Sequence, residues 1–174
     1  MTKGLHIVAA ALLCAALTAC APELNWREVR ADDAHYSVLL PSKPATHART
    51  VDLDGLTVEM SMTGAAVDEL SFVVASARIP DAARQPAALA AMQTAMLRNI
   101  RALTHSEKPV TLKGSVQATE IVASGQTERD GRPVQMQARF AAYGDRVYQA
   151  VVLGPKEKLS PEATETFLGS LSLR

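Results

Sequence analysis

The chain has 174 residues, with 18 Lys and Arg balanced by 18 Asp and Glu, two Cys and a single Trp. That is one domain's worth of chain, with the 48% apolar and 21% charged content of a globular rather than a disordered protein. Balanced charge speaks against a general nucleic-acid binder, which is usually basic overall. Aromatics at 4% speak against a stacking platform for bases or sugars.

Lys3 gives the chain a basic start, and Ile7–Leu17 is apolar without a break. The run is too short for a bilayer, which needs about 20 residues, and it fits the apolar region of a secretory signal. It ends in Leu17-Thr18-Ala19-Cys20, which resembles the lipobox of bacterial lipoprotein signal peptides. The resemblance implies that Cys20 receives a diacylglycerol and that cleavage precedes it. A further acyl chain then goes on the new amino group, and two or more chains hold a protein firmly where one does not. Ala21, rather than Asp, after the Cys implies sorting to the outer membrane. The expected division is therefore residues 1–19 as signal peptide, 20–25 as lipidated Cys and short linker, and 26–174 as one domain. Cys14 falls in the discarded segment, so disulfides and thiol chemistry are not expected of the mature protein. The linker spans at most about 18 Å, which keeps the domain beside the membrane.

Tyr36–Leu40 reads as a short strand closed by Pro41. Val51–Val58 carries Asp54-Gly55 between alternating apolar runs, the strongest short hairpin signal. A two-residue turn there pairs Leu53 with Leu56, Val51 with Val58 and Arg49 with Met60. Asp52/Thr57 and Thr50/Glu59 then fall on a polar face. Asp68-Glu69 reads as a turn. Leu70–Ile79 is a near-continuous apolar strand of a sheet interior. Pro86–Leu103 is predicted helical, with Leu89, Met92, Met96, Ile100 and Leu103 on one stripe. From Val116 to Leu153 the chain reads as a three-stranded meander. Asp130-Gly131 pairs Gly125 with Met136 and Ile121 with Phe140. Gly144-Asp145 pairs Phe140 with Gln149 and Met136 with Leu153. Both registers place Met136, Ala138 and Phe140 on one apolar face. Ser160-Pro161-Glu162 starts a second helix, Gly169 ends it, and Leu171–Leu173 is a last strand. The fold class that follows is α+β, an antiparallel sheet packed with one long and one short helix.

This order resembles the PsbP-like α+β sandwich over roughly Trp26 to Leu173. The stretches that carry the resemblance are Arg139–Gln149, Phe167–Leu173 and Tyr36–Pro41. It implies the architecture and transfers no residue-level chemistry, since members are mostly accessory or binding proteins.

The sequence carries no Gly-x-Ser-x-Gly elbow, Ser-x-x-Lys pair, Walker A loop, Gly-x-Gly-x-x-Gly or His-Glu-x-x-His. Asp32-Asp33-Ala34-His35 reads as a solvated turn rather than a metal site. Met60, Met62, Met92, Met96 and Met136 fall on core stripes, where Met commonly fills gaps, although His47 lies opposite Met62. No catalytic residue, metal or cofactor is expected. The most interesting cluster is Arg139, Tyr143, Arg146 and Tyr148, which share the sheet face opposite Phe140. Tyr and Arg are enriched at binding hot spots, so this is either a binding patch or a face covered by a helix. The expected function is that of a non-enzymatic lipoprotein anchored to the periplasmic face of the outer membrane. It would bind a protein or envelope partner. The alternative is a small-ligand carrier with a pocket between helix and sheet.

Overall fold

The computed structural model describes residues 24–174, so the segment expected to be a signal peptide and Cys20 lie outside the described residues. The chain forms β1 (Arg27–Ala31), β2 (Tyr36–Leu40), β3 (Ala45–Leu53), β4 (Leu56–Val67), β5 (Leu70–Arg78) and α1 (Gln85–Asn99). Then follow β6 (Thr104–Thr111), β7 (Gln117–Gln126), β8 (Pro133–Tyr143), β9 (Arg146–Gly154), α2 (Pro161–Ser170) and β10 (Ser172–Leu173). Seven strands make an antiparallel sheet in the order β3-β4-β5-β9-β8-β7-β6, and β1-β2-β10 make a small second sheet. The large sheet is two meanders, β3-β4-β5 and β6-β7-β8-β9, joined edge to edge where β5 pairs with β9.

Turn chemistry sets the first meander. Asp54 and Gly55 have φ of 55° and 75°, the double positive φ of a type I′ turn. The expected pairs Leu53–Leu56, Val51–Val58 and Arg49–Met60 form, and the ladder continues to Ala45–Gly64. Asp68 and Glu69 form a second turn of this kind, with φ of 51° and 50° and no glycine. Lys158 braces it by contacting Asp68 at 2.9 Å and Glu69 at 2.8 Å.

In the second meander the Gly144 turn gives the expected register, with Met136 opposite Leu153 and Phe140 opposite Gln149. The Asp130-Gly131 hairpin differs. Gly125 pairs with Val134 and Ile121 with Ala138, two residues from the expected partners. Gly131 alone of the two has positive φ, and its N–H bonds the Thr127 carbonyl, which gives a longer loop before Pro133. A slip of two preserves side-chain parity, so Met136, Ala138 and Phe140 still share the predicted face. The meander also gains β6, an almost wholly exposed edge strand. Its sequence, THSEKPVT, lacks the alternation that marks a half-buried strand.

Helix α1 lies on that face and buries Ala88 and Met92 against Met60, Ile121, Met136 and Phe140. Its N-terminus is tied down by Gln85, whose Nε2 donates to the carbonyls of Ile79 at 3.0 Å and Gly144 at 2.9 Å. The helix ends at Asn99, four residues before the expected Leu103. Arg101 takes φ of 44°, and the N–H groups of Arg101 and Ala102 bond the carbonyls of Arg98 and Leu97. This is a Schellman stop with Arg where Gly is usual, so no residue type marks it in the sequence. Leu103, expected on the buried stripe, is 72% exposed. The opposite face of the sheet is covered by α2 and by the small sheet. Phe72, Tyr148, Phe167 and Leu40 are buried there. Ser160 caps α2 by accepting from Ala163 N–H at 3.3 Å, as its position predicts. Strands β5 and β9 are therefore covered on both sides, which explains their apolar runs.

Candidate functional site

The registers put Arg139, Tyr143, Arg146 and Tyr148 on one face, as expected. They do not form an exposed patch. Tyr148 is 1% exposed, its hydroxyl donates to the Ala34 carbonyl at 3.1 Å, and its ring meets Tyr36 edge to face. Burial pushes its pKa up to about 12, against the opposing pull of the Arg146 charge. Arg139 is also enclosed. Its Nε bonds Glu120 and its outer nitrogen bonds Glu165, each at 2.8 Å, which ties β7, β8 and α2 together. Arg146 is half-buried and donates to the Asp33 carbonyl at 2.7 Å. Tyr143 stays exposed beside the Gly144 turn. The binding-patch reading is thus corrected to the covered-face reading. The cover comes from the β1–β2 turn and α2, elements remote in sequence whose docking no local pattern announces.

Arg146 leads to a different arrangement. Between the Asp33-Ala34 turn and the polar face of β4 and β5 runs a groove of about 570 Å3, lined by Thr57, Glu59, Ser61, Ser76, Arg78 and Arg146. It continues toward Thr46 and Thr63 in a second hollow of about 490 Å3. Arg78 is neutralised by Asp145 at 2.5 Å, and this hydrogen bond holds the Asp145 carboxyl below the usual carboxylate range. Arg146, by contrast, has no carboxylate within 4.0 Å among the described residues. Its Nε is buried without a hydrogen-bond partner, and so is Oγ of Ser76, a residue only 1% exposed. Native proteins satisfy nearly all buried polar groups, and both of the unsatisfied side-chain atoms found among the described residues belong to this groove. Ser76 was missed in the sequence because it sits inside an apolar strand. Of the two hydroxyls in that run, Ser71 is exposed near its start whereas Ser76 falls among Val74, Ala75 and Ala77, and that position was the available signal.

The other candidates separate. His47 does face Met62 in the ladder, on a shallow depression of about 350 Å3 that also includes Gly64 and Val73. Met60 and Met136 are core residues under α1, and Met92 packs on them from the helix itself. His35, His47 and His105 are all exposed and stand on different elements. Asp32 contacts Arg174 at 3.4 Å. Between α1 and the sheet lies an open slot of about 430 Å3, with Met60, Met92 and Met96 along it and Arg49, Arg98 and Asn99 among its lining. It is a groove rather than an enclosed cavity. No helix among the described residues is long and apolar enough to cross a membrane.

No protein-family model and no curated protein matches the chain. Among solved structures, a protein from Bacteroides thetaiotaomicron aligns with a TM-score of 0.52 at 14% identity, over 85% of this chain and 48% of that one. A protein of unknown function from Pseudomonas aeruginosa aligns with a TM-score of 0.47 at 15% identity, over 86% of this chain and 97% of that one. At such identities the likeness concerns the fold alone, and the fold that stands is an α+β domain of antiparallel sheets and two helices.

Proposed function

We propose that the chain is a lipid-anchored envelope protein, acylated at Cys20 and held at the periplasmic face of the outer membrane. It acts as a non-enzymatic accessory module for a protein or envelope partner. Its domain is read as a PsbP-like sandwich with one long and one short helix. The observation that carries the reading is the closeness of folded chain to the lipobox cysteine. Asn25 N–H already bonds the Pro41 carbonyl at 2.9 Å, and Trp26 meets Phe72 edge to face at 6.3 Å. Five residues from Cys20 reach at most about 18 Å, so an anchor there seats this end of the domain against the bilayer.

Metabolic palmitate labelling of the wild type and of Cys20→Ser tests the anchor. Label should vanish in the variant, and the variant should leave the membrane fraction or persist as precursor. Unchanged labelling refutes the reading. Cross-linking in intact envelopes, repeated with an unanchored domain, tests the partner. The slot between α1 and the sheet supports the carrier reading as the alternative, because its apolar floor and flanking Arg49 and Arg98 suit an amphipathic molecule.

A further inference from the structure

We infer that the groove between the Asp33-Ala34 turn and strands β4 and β5 is a binding site for a small monocarboxylate, seated on Arg146 and Ser76. The inference does not rest on the lipid anchor. It concerns the opposite end of the large sheet, since Arg146 opens β9 whereas the Asn25–Pro41 bond lies near Ala66, whose carbonyl accepts from Ser42 at the far end of β4. An anchored domain therefore presents this groove away from the membrane.

Three features point to a carboxylate. The two unsatisfied atoms are a guanidinium N–H and a hydroxyl, both able to donate to one anionic oxygen pair. Arg146 carries a charge with no carboxylate partner among the described residues, and its one side-chain hydrogen bond goes to a neutral carbonyl. Its neighbour Asp145 feels the Arg146 charge but spends its direct contact on Arg78, so the half-buried guanidinium gains from a directly seated anion, and its planar fork suits a carboxylate. Size and charge narrow the class. The groove, at about 570 Å3, has room for a small molecule. Two carboxylate residues, Asp33 and Glu59, line it together with Arg146 and the Asp145-paired Arg78, which favours one negative charge, above all a carboxylate paired with a cationic group, over a polyanion. Both donor atoms are shielded as the side chains stand, so seating the ligand turns the Arg146 side chain and exchanges its bond to Asp33 for the carboxylate.

Arginine Nε–H resonances report the event directly. Titration of the 15N-labelled domain with acetate or glycine should move one Nε–H signal saturably, and Arg146→Lys should remove that signal and the response. Ser76→Ala deletes an unsatisfied hydroxyl, so it should fold normally yet weaken acetate binding about tenfold, the worth of one charge-assisted hydrogen bond. Inorganic phosphate at pH 8, mostly a dianion, should bind at least about tenfold more weakly than acetate, because Glu59 opposes the second charge. No saturable shift means that the two atoms are served by a trapped water, and this overturns the site. A response that survives Arg146→Lys does the same. Phosphate binding as tightly as acetate overturns the ligand class. If Arg146→Lys fails to fold, an Nε–H shift insensitive to Ser76→Ala refutes the proposal on its own.

Discussion

Replacing Arg139 with Ala strands the carboxylate of Glu120. Glu120 is 3% exposed and accepts from Arg139 Nε at 2.8 Å, while its other cation, Lys108 at 3.1 Å, is 67% exposed. Burial pushes the Glu120 pKa up, but the hydrogen bonds from Arg139 and Lys108 outweigh it and hold the group below its ordinary value. Breaking a buried pair by removing one partner costs about 3–5 kcal/mol. Lys108 remains, so we expect the low end, about 3 kcal/mol at pH 7. The surface contact of Arg139 with the 64% exposed Glu165 adds little. For a domain of this size the loss corresponds to a drop of about 6–12 °C in Tm. The sign with pH follows. In the wild type the folded pKa lies below the unfolded one, so the pair stabilises above the unfolded value and is lost as pH falls through the folded one. In Arg139→Ala burial prevails and the Glu120 pKa rises, so acid neutralises the stranded group. Urea unfolding followed by circular dichroism should show the deficit shrinking to about 1 kcal/mol at pH 4.5. The double variant Glu120→Gln, Arg139→Ala should recover most of the loss at pH 7. A deficit under about 1 kcal/mol at pH 7, or one equal at both pH values, refutes the reasoning.

Three further outcomes follow from the packing. Phe140→Ala, at a ring 2% exposed beneath α1, should cost about 3–5 kcal/mol in urea unfolding, whereas Thr50→Ala on the exposed face of β3 should stay within about 0.5 kcal/mol. Gly125→Ala would place a Cβ 2.0 Å from the Ile100 carbonyl oxygen. It should lever the end of α1 off β7 at a cost of about 3 kcal/mol, seen as faster amide exchange at Gln126, whose N–H bonds that oxygen at 2.6 Å. Tyr148, with its pKa raised to about 12, contributes stability that is whole below pH 10 and lost as pH rises toward 12. Alkaline unfolding should therefore track a late rise in tyrosinate absorbance, and Tyr148→Phe should remove that component.

Much of the large sheet was legible because its information is local. Asp54-Gly55 and Gly144-Asp145 each dictate a turn whose twist suits antiparallel strands, and alternation then assigns every side chain to a face. Even the mistaken register at Asp130-Gly131 kept Phe140 in the core, because the slip was even. The helix stripe was legible in the same way, up to a Schellman stop built on Arg101. Ser160 and Pro161 marked the start of α2 because capping is chemistry between near neighbours.

What lay beyond the sequence was the second layer. Nothing in Tyr36–Leu40 says that it pairs on one side with the neighbouring Arg27–Ala31 and on the other with Ser172–Leu173, more than 130 residues on. The β1–β2 hairpin is local, but its long-range pairing with β10 sets the small sheet beside α2 on the second face, with the β1–β2 turn over the end of β9. It turns Tyr148 from a candidate contact into core, whereas the ion pair of Arg139 comes from the observed β7–β8 register, which sets Glu120 directly opposite it. Such closure depends on which apolar faces find each other in three dimensions, and residue periodicity carries no record of that. The same closure shaped the groove in which Arg146 Nε and Ser76 Oγ have no hydrogen-bond partner. The sequence alone determined which residues share a face, because parity along a strand is a local property. Which face meets solvent was decided by tertiary packing, because the covering elements come from distant parts of the chain.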